Sequence, residues 1–234
     1  MTAVASSSAS WIATACGSCR ARLARVVVPG LPHHVTQRCN GRARVFFLDE
    51  DYALYRDLLA ASCRAADVEI WAWVLMPNHV HLILSPKDAD GLRRALAPVH
   101  RRYAGHIHSR RKRSGHFRQG RFGAVAMDEE HLAAALRYVA LNPVRARLVG
   151  RAQDWPWSSA RAHLRRRDDK VASLSPVLDR FARFADLLEE GPGNPCSSSH
   201  HASCSTRLFN QGVHTRMKEA ASEANYRLLR WHLE

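Results

Sequence analysis

Acidic residues are scarce in this 234-residue sequence: 21 Asp and Glu stand against 35 Lys and Arg, for a formal net charge of +14 and an isoelectric point near 10.4. That imbalance points to a polyanionic partner, nucleic acid first. Long apolar runs are missing too. Nothing approaches the roughly 20 residues that span a bilayer, which argues against a membrane partner. The Ser- and Ala-rich start, MTAVASSSASWIATACGSC, lacks the basic n-region and long apolar h-region of a secretory signal, and residues 1–19 read as a disordered leader. Six cysteines (Cys16, Cys19, Cys39, Cys63, Cys196 and Cys204) are scattered rather than framed, in a chain whose 46% hydrophobic content is enough to build a core. A reducing, cytoplasmic setting fits. Cys16 and Cys19 have no second pair at zinc-ribbon spacing. The stretch CSSSHHASC, 196–204, is Ser-rich and reads as low-complexity disorder rather than a zinc clasp. Internal repeats are absent.

What is present is an alternation of strand and helix patterns. LPHHVTQRC, 31–39, has the β-branched character of a first strand. DEDYALYRDLLAASCRAA, 49–66, places Tyr52, Tyr55, Leu58 and Leu59 at helical spacing, with Asp49 as the expected cap. DVEIWAWVLM, 67–76, and HVHLILS, 79–85, are apolar β-rich runs parted by Pro77-Asn78, the pattern of two antiparallel strands joined by a tight turn. Residues 88–113 predict a second helix despite Pro98, followed by a basic loop. FGAVAMD, 122–128, is short enough for a fourth strand, and EEHLAAALRYVALN, 129–142, predicts a helix that stops at Asn142 before Pro143. The order β-α-β-β-α-β plus a helix predicts an α+β fold of the ferredoxin-like split βαβ type: a central antiparallel sheet with helices on one face and an additional helix carrying Tyr138. One domain is expected over 20–188, with short helical pieces after DWPWSSARAHL, 154–164. A low-complexity linker and tail follow over 189–234.

Two histidines interrupt the apolar run MPNHVHLIL, 76–84. Residues i and i+2 of a strand share a face, so His79 and His81 project side by side while Val80 and Leu82 fill the other side. Two imidazoles held so make a two-ligand site for a divalent cation that needs a third ligand from elsewhere. The same spacing also suits a hydrogen-bonded pair at a strand edge. On the 129–142 helix, Tyr138 and Asn142 are i, i+4 neighbours on one face.

The motifs MPNHVHLIL, GHFRQGRF, LRYVALNPVRARLV and DWPWSSARAHL occur in the order and at the spacing of the HUH single-tyrosine transposases, and the sequence closely resembles their REP-associated tyrosine transposase branch over roughly residues 20–188. The resemblance implies a catalytic domain there, with His79 and His81 as metal ligands, Tyr138 as nucleophile and Asn142 as the third ligand. It implies cleavage of single-stranded DNA beside a hairpin, strand transfer through a covalent 5′-phosphotyrosine, Mg²⁺ or Mn²⁺ as cofactor, and a monomer rather than a homodimer. Imidazole and oxygen ligands without thiolates suit such a cation. This chain departs from relatives at Cys39, Arg118 and Arg147, where glycine, an aromatic and glycine are usual. Its tail does not resemble the family.

The segment 101–121 carries eight Lys and Arg residues and no acid. Arg101, Arg102, Arg110, Arg111, Lys112, Arg113, Arg118 and Arg121 are candidates to neutralise phosphates, with Tyr103 and Phe117 to stack bases. Arg42 and Arg44 in RCNGRARVFF are candidates to reach the same hairpin. A solvated basic loop is the plain alternative. The rival functions are a domesticated hairpin-binding protein that no longer cuts and an RNA-binding ferredoxin-like module. The second of these leaves the histidine pair and Tyr138 without a purpose.

Overall fold

The computed structural model describes residues 26–38, 43–112 and 121–189. The leader over 1–19, the tail from residue 190, and Cys16, Cys19, Cys39, Cys196 and Cys204 lie outside them. Four strands, β1 (His33–Arg38), β2 (Val68–Met76), β3 (His79–Pro86) and β4 (Gly123–Ala126), form one sheet in the order β2-β3-β1-β4. All neighbouring pairs are antiparallel. Helix α1 (Asp49–Ala65) joins β1 to β2, and α2 (Gly91–Arg111) joins β3 to β4. This is the predicted α+β arrangement.

Period-two alternation divides β3 between two cores. Val80, Leu82 and Leu84 pack with Val35 of β1, Tyr55 and Leu59 of α1, and Leu92, Leu96 and Val99 of α2. On the other face Ile83 packs with Trp71, Val74 and Met76 of β2 and with Leu132, Leu136 and Val139 of α3 (Glu129–Arg145). Helices therefore cover both faces rather than one. The reason lies in β2, where a register irregularity between Ile70 and Ala72 puts both Trp71 and Ala72 on the second face. An apolar strip of that size is stable only when covered.

Helix ends also depart from expectation. Leu48, not Asp49, is the cap residue of α1, and Asp51 Oδ2 reaches back to accept from the backbone N–H groups of Phe47 and Leu48 at 2.9 and 3.1 Å. Helix α3 starts at the cap Asp128, which accepts from the His131 backbone N–H at 2.9 Å, and runs through Pro143 to Arg145. Proline inside a helix costs about 3 kcal/mol. Here it stands in the last turn, where only the Val139 carbonyl loses its donor. Beyond it, the Ala146 and Leu148 N–H groups donate to the carbonyls of Asn142 and Pro143 at 3.0 and 2.9 Å. Arg147 closes that end with φ +56°, the conformation glycine adopts most easily.

The DWPWSSARAHL motif closes the outer edge of β2. Leu75 N–H donates to the Trp157 carbonyl (2.9 Å) and Ser159 N–H to the Trp73 carbonyl (2.9 Å), while Ser159 Oγ accepts from Trp73 N–H (3.0 Å) and Trp155 Nε1–H donates to the Leu75 carbonyl (3.1 Å). A sheet edge that would template pairing with another chain is thereby occupied. Trp157 also stacks on Tyr52, which stacks on Phe46. The short helices α4 (Ala160–Arg165), α5 (Ser175–Leu178) and α6 (Phe184–Glu189) complete the second core. No described helix is long and apolar enough to cross a membrane. Cys63, the one described cysteine, is a buried free thiol pushed up to about 12 by burial.

Candidate active site

One end of the sheet gathers the histidine pair and several of the other residues that the sequence singled out. The last residue of β1, Arg38, pairs with His79, the first of β3, and Thr36 pairs with His81. The turn at Pro77 is pinned by the Val45 N–H, which donates to the Pro77 carbonyl at 2.7 Å. The start of α1 and the end of α2 arrive at the same end, joined by Asp51 and Arg110.

His79 and His81 share the face covered by α3, as the spacing predicts. Their rings stand nearly perpendicular, at 86°, with centroids 4.8 Å apart. Tyr138 meets the His81 ring edge-on at 5.1 Å. The other described tyrosines belong to the opposite core: Tyr52, Tyr55 and Tyr103 are buried there, and the Tyr103 hydroxyl donates to the Val45 carbonyl at 2.8 Å. Tyr103 therefore does not offer its ring to a base. Tyr138 is half-buried, on the histidine face. Asn142 is buried one turn further along α3, about 6 Å of helical rise beyond Tyr138.

Two residues in this constellation were not singled out in the sequence. His34 of β1 lies beside His81, with ring centroids 5.2 Å apart and its Nε2 hydrogen-bonded to His81 Nδ1 at 3.1 Å. The Arg145 guanidinium carbon stands 5.5 Å from the Tyr138 ring centroid. The signal for Arg145 was its place seven residues after Tyr138, two helical turns along the same face. His34 had no local signal, because its neighbourhood depends on the β1–β3 register.

Not every buried histidine belongs to this group. His33 donates from Nδ1 to the Leu31 carbonyl (2.8 Å) and accepts the Val28 N–H on Nε2 (3.1 Å). Burial pushes its pKa down to about 4, although the Leu31 contact works the other way. His163, hydrogen-bonded to the Trp71 carbonyl at 2.9 Å, is likewise lowered by burial.

A divalent cation would find part of a ligand set here. His79 Nδ1–H donates to Asn78 Oδ1 (2.5 Å), and His81 Nδ1 is engaged by His34. Metal-binding histidines characteristically use one nitrogen for the metal and the other for such a partner. Among the described residues no three His, Cys, Asp or Glu side chains are grouped to hold a metal. The donor set thus fits a cation that takes two imidazoles and completes its shell with oxygen, not a closed structural zinc.

The basic candidates separate by position. Arg44, Arg111, Lys112 and Arg121 are exposed, and Arg111 lies over the Phe47 ring at 4.1 Å. Arg110 is engaged in a two-pronged pair with the fully buried Asp51, at 2.5 and 2.7 Å. Burial would raise the Asp51 carboxyl, but the Arg110 guanidinium and the Phe47 and Leu48 N–H groups outweigh it and hold the pKa below the usual carboxylate range. Arg101 and Arg102 are exposed on α2, about 15 Å before its end by helical rise. Arg42, Arg113, Arg118 and Phe117 lie outside the described residues.

Residues 27–142 match the family model described as IS200-like transposase, and the chain belongs to that family. A solved REP-associated tyrosine transposase, bound to a REP hairpin, aligns over 78% of this chain and 99% of its own at 20% identity, with a TM-score of 0.54, and shares the fold. A putative transposase from Deinococcus radiodurans R1 aligns over 50% of this chain and 95% of its own at 22% identity, with a TM-score of 0.38. No curated protein matches the chain.

Proposed function

We propose that this transposase-family chain is a metal-dependent single-stranded DNA endonuclease and strand transferase of the REP-associated type, which cuts beside a hairpin and holds the 5′ phosphate on Tyr138. The observation that carries the reading is the placement of Tyr138 against His81, while the other described tyrosines are buried in the opposite core.

In the proposed step the Tyr138 hydroxyl loses its proton and its oxygen forms a bond to phosphorus. The bond from phosphorus to the 3′ oxygen breaks, and that oxygen takes up a proton to leave as a 3′ hydroxyl. The ester retains the energy of the broken bond, so a second 3′ hydroxyl can reverse the step and join a new end without ATP. Arg145, beside the Tyr138 ring, opposes the negative charge that develops on the phenol oxygen. His79 and His81, with Asn142, would hold Mg²⁺ or Mn²⁺, which supplies Lewis-acid polarisation of a phosphate oxygen.

Arg44, Arg111, Lys112 and Arg121 would meet the DNA backbone near the histidine end of the sheet, with Arg101 and Arg102 further along α2. Helix α3 packs on β2 and β3 of its own chain, which supports a monomer acting in cis. A cytoplasmic setting agrees with this substrate. Covalent capture tests the whole reading: labelled hairpin DNA with a single-stranded foot, incubated with protein and Mg²⁺ or Mn²⁺, yields a denaturation-resistant adduct that Tyr138→Phe abolishes. Tight hairpin binding by the wild type with no adduct in either metal would instead favour a domesticated binding protein.

A further inference from the structure

His34 and His81 are both buried, at 5% and 1% exposure, and one proton lies between His34 Nε2 and His81 Nδ1 across 3.1 Å. Which ring owns that proton decides what His81 can do. If His34 donates, neutral His81 carries its own proton on Nε2 and has no lone pair there for a cation. If His34 accepts, His81 is the Nδ1–H tautomer and its Nε2 keeps the lone pair.

We propose that His34 accepts, and that it is a positioning residue which fixes His81 in the Nδ1–H form so that Nε2 faces the chemistry as a donor. The neighbouring ring supports this assignment. His79 directs its Nδ1 at Asn78 Oδ1, an oxygen that only accepts, so the same tautomer is set on the first histidine by a different partner. The fold supplies the rigidity: β1 and β3 pair continuously from His33 with Leu84 to Arg38 with His79, so His34 stands diagonally across from His81 on a shared face. The two partners thus orient two adjacent imidazoles alike, as hydrogen-bonded neighbours of metal-binding histidines do. The metal-donor role rests on the proposed function, whereas the tautomer can be read without it.

Long-range ¹H–¹⁵N correlation of the histidine side chains in metal-free, full-length protein tests the tautomer directly. The expected spectrum shows His81 protonated at Nδ1 in the wild type and in His34→Gln, whose amide oxygen can still accept, with a shift toward Nε2–H in His34→Phe. Mn²⁺ titration by calorimetry then gives affinities, with His34→Phe weaker by about 10- to 100-fold and His34→Gln restoring most of the loss. Melting curves establish that both variants are folded, and the wild-type spectrum stands without them. A wild-type His81 protonated at Nε2 overturns the proposal, as does equal Mn²⁺ affinity in wild type and folded His34→Phe. A wild type with His81 protonated at Nδ1 but no affinity for Mn²⁺ would overturn the metal reading and leave the tautomer claim standing, so the two fail separately.

Discussion

Tyr138 on α3 meets His81 on β3 edge-on, with 5.1 Å between ring centroids and 89° between planes. The contact sets a phenol beside an imidazole pair at the end of the sheet where exposed cations gather. It also gives each neighbour of Tyr138 a measurable task.

Arg145 is the first of these. Its guanidinium lies near the Tyr138 ring but is solvent-exposed, so its field is partly screened. Arg145→Gln is expected to slow single-turnover cleavage by about 3- to 10-fold, the equivalent of roughly 1 kcal/mol, with hairpin affinity lowered far less. An unchanged rate would remove Arg145 from the site.

Arg110 separates folding from binding. Asp51→Ala is expected to cost about 3 kcal/mol, because it removes both the charge-assisted pair and the backbone acceptor at the start of α1. Arg110→Ala should likewise lower the denaturation midpoint. By contrast, Arg111→Ala and Lys112→Ala should leave it nearly unchanged and reduce the salt dependence of hairpin binding by about one counterion each. The lowered Asp51 pKa fixes the sign of the acid response: its contribution is full above the ordinary carboxylate pKa and is lost as pH falls through the lower folded value.

His33 gives a second acid response in a different window. Folded His33 takes up a proton only near pH 4, whereas the unfolded chain does so near its ordinary value of about 6.5. The unfolded state therefore binds more protons between these limits, and stability falls as pH drops through them. Protonation would also place an N–H where Nε2 now accepts from Val28. Urea unfolding at pH 7 and about pH 4.5 should show a loss smaller by about 2 kcal/mol in His33→Gln than in wild type.

Arg147 holds a left-handed conformation, φ +56°, at the end of α3, where a side chain costs about 1 kcal/mol relative to glycine. Arg147→Gly should raise the thermal midpoint by about 2–4 °C. A lower midpoint would mean that the Arg147 side chain makes contacts worth more than the strain.

Much of this was legible in the chain because it is local. The strands follow from period-two alternation, and Pro77-Asn78 marks the turn that sets His79 and His81 on one face. What was not legible depends on register and packing. Nothing near Tyr103 reveals that its hydroxyl is taken by Val45 in the core, or near Arg110 that a buried Asp51 claims it. Pro143 reads as a stop, yet α3 continues because a proline in the last turn removes the donor to only one carbonyl. His34 joins His81 diagonally across two strands that are far apart in sequence, a pairing no local pattern encodes.

In the proposed function Tyr138 attacks DNA from beside the histidine pair. The most direct measurement is the covalent-capture assay with wild type, Tyr138→Phe and His79→Ala side by side. The expected result is a protein–DNA adduct in wild type, none in Tyr138→Phe, and a sharp fall in His79→Ala, with hairpin binding retained throughout. An adduct that persists in Tyr138→Phe would contradict it.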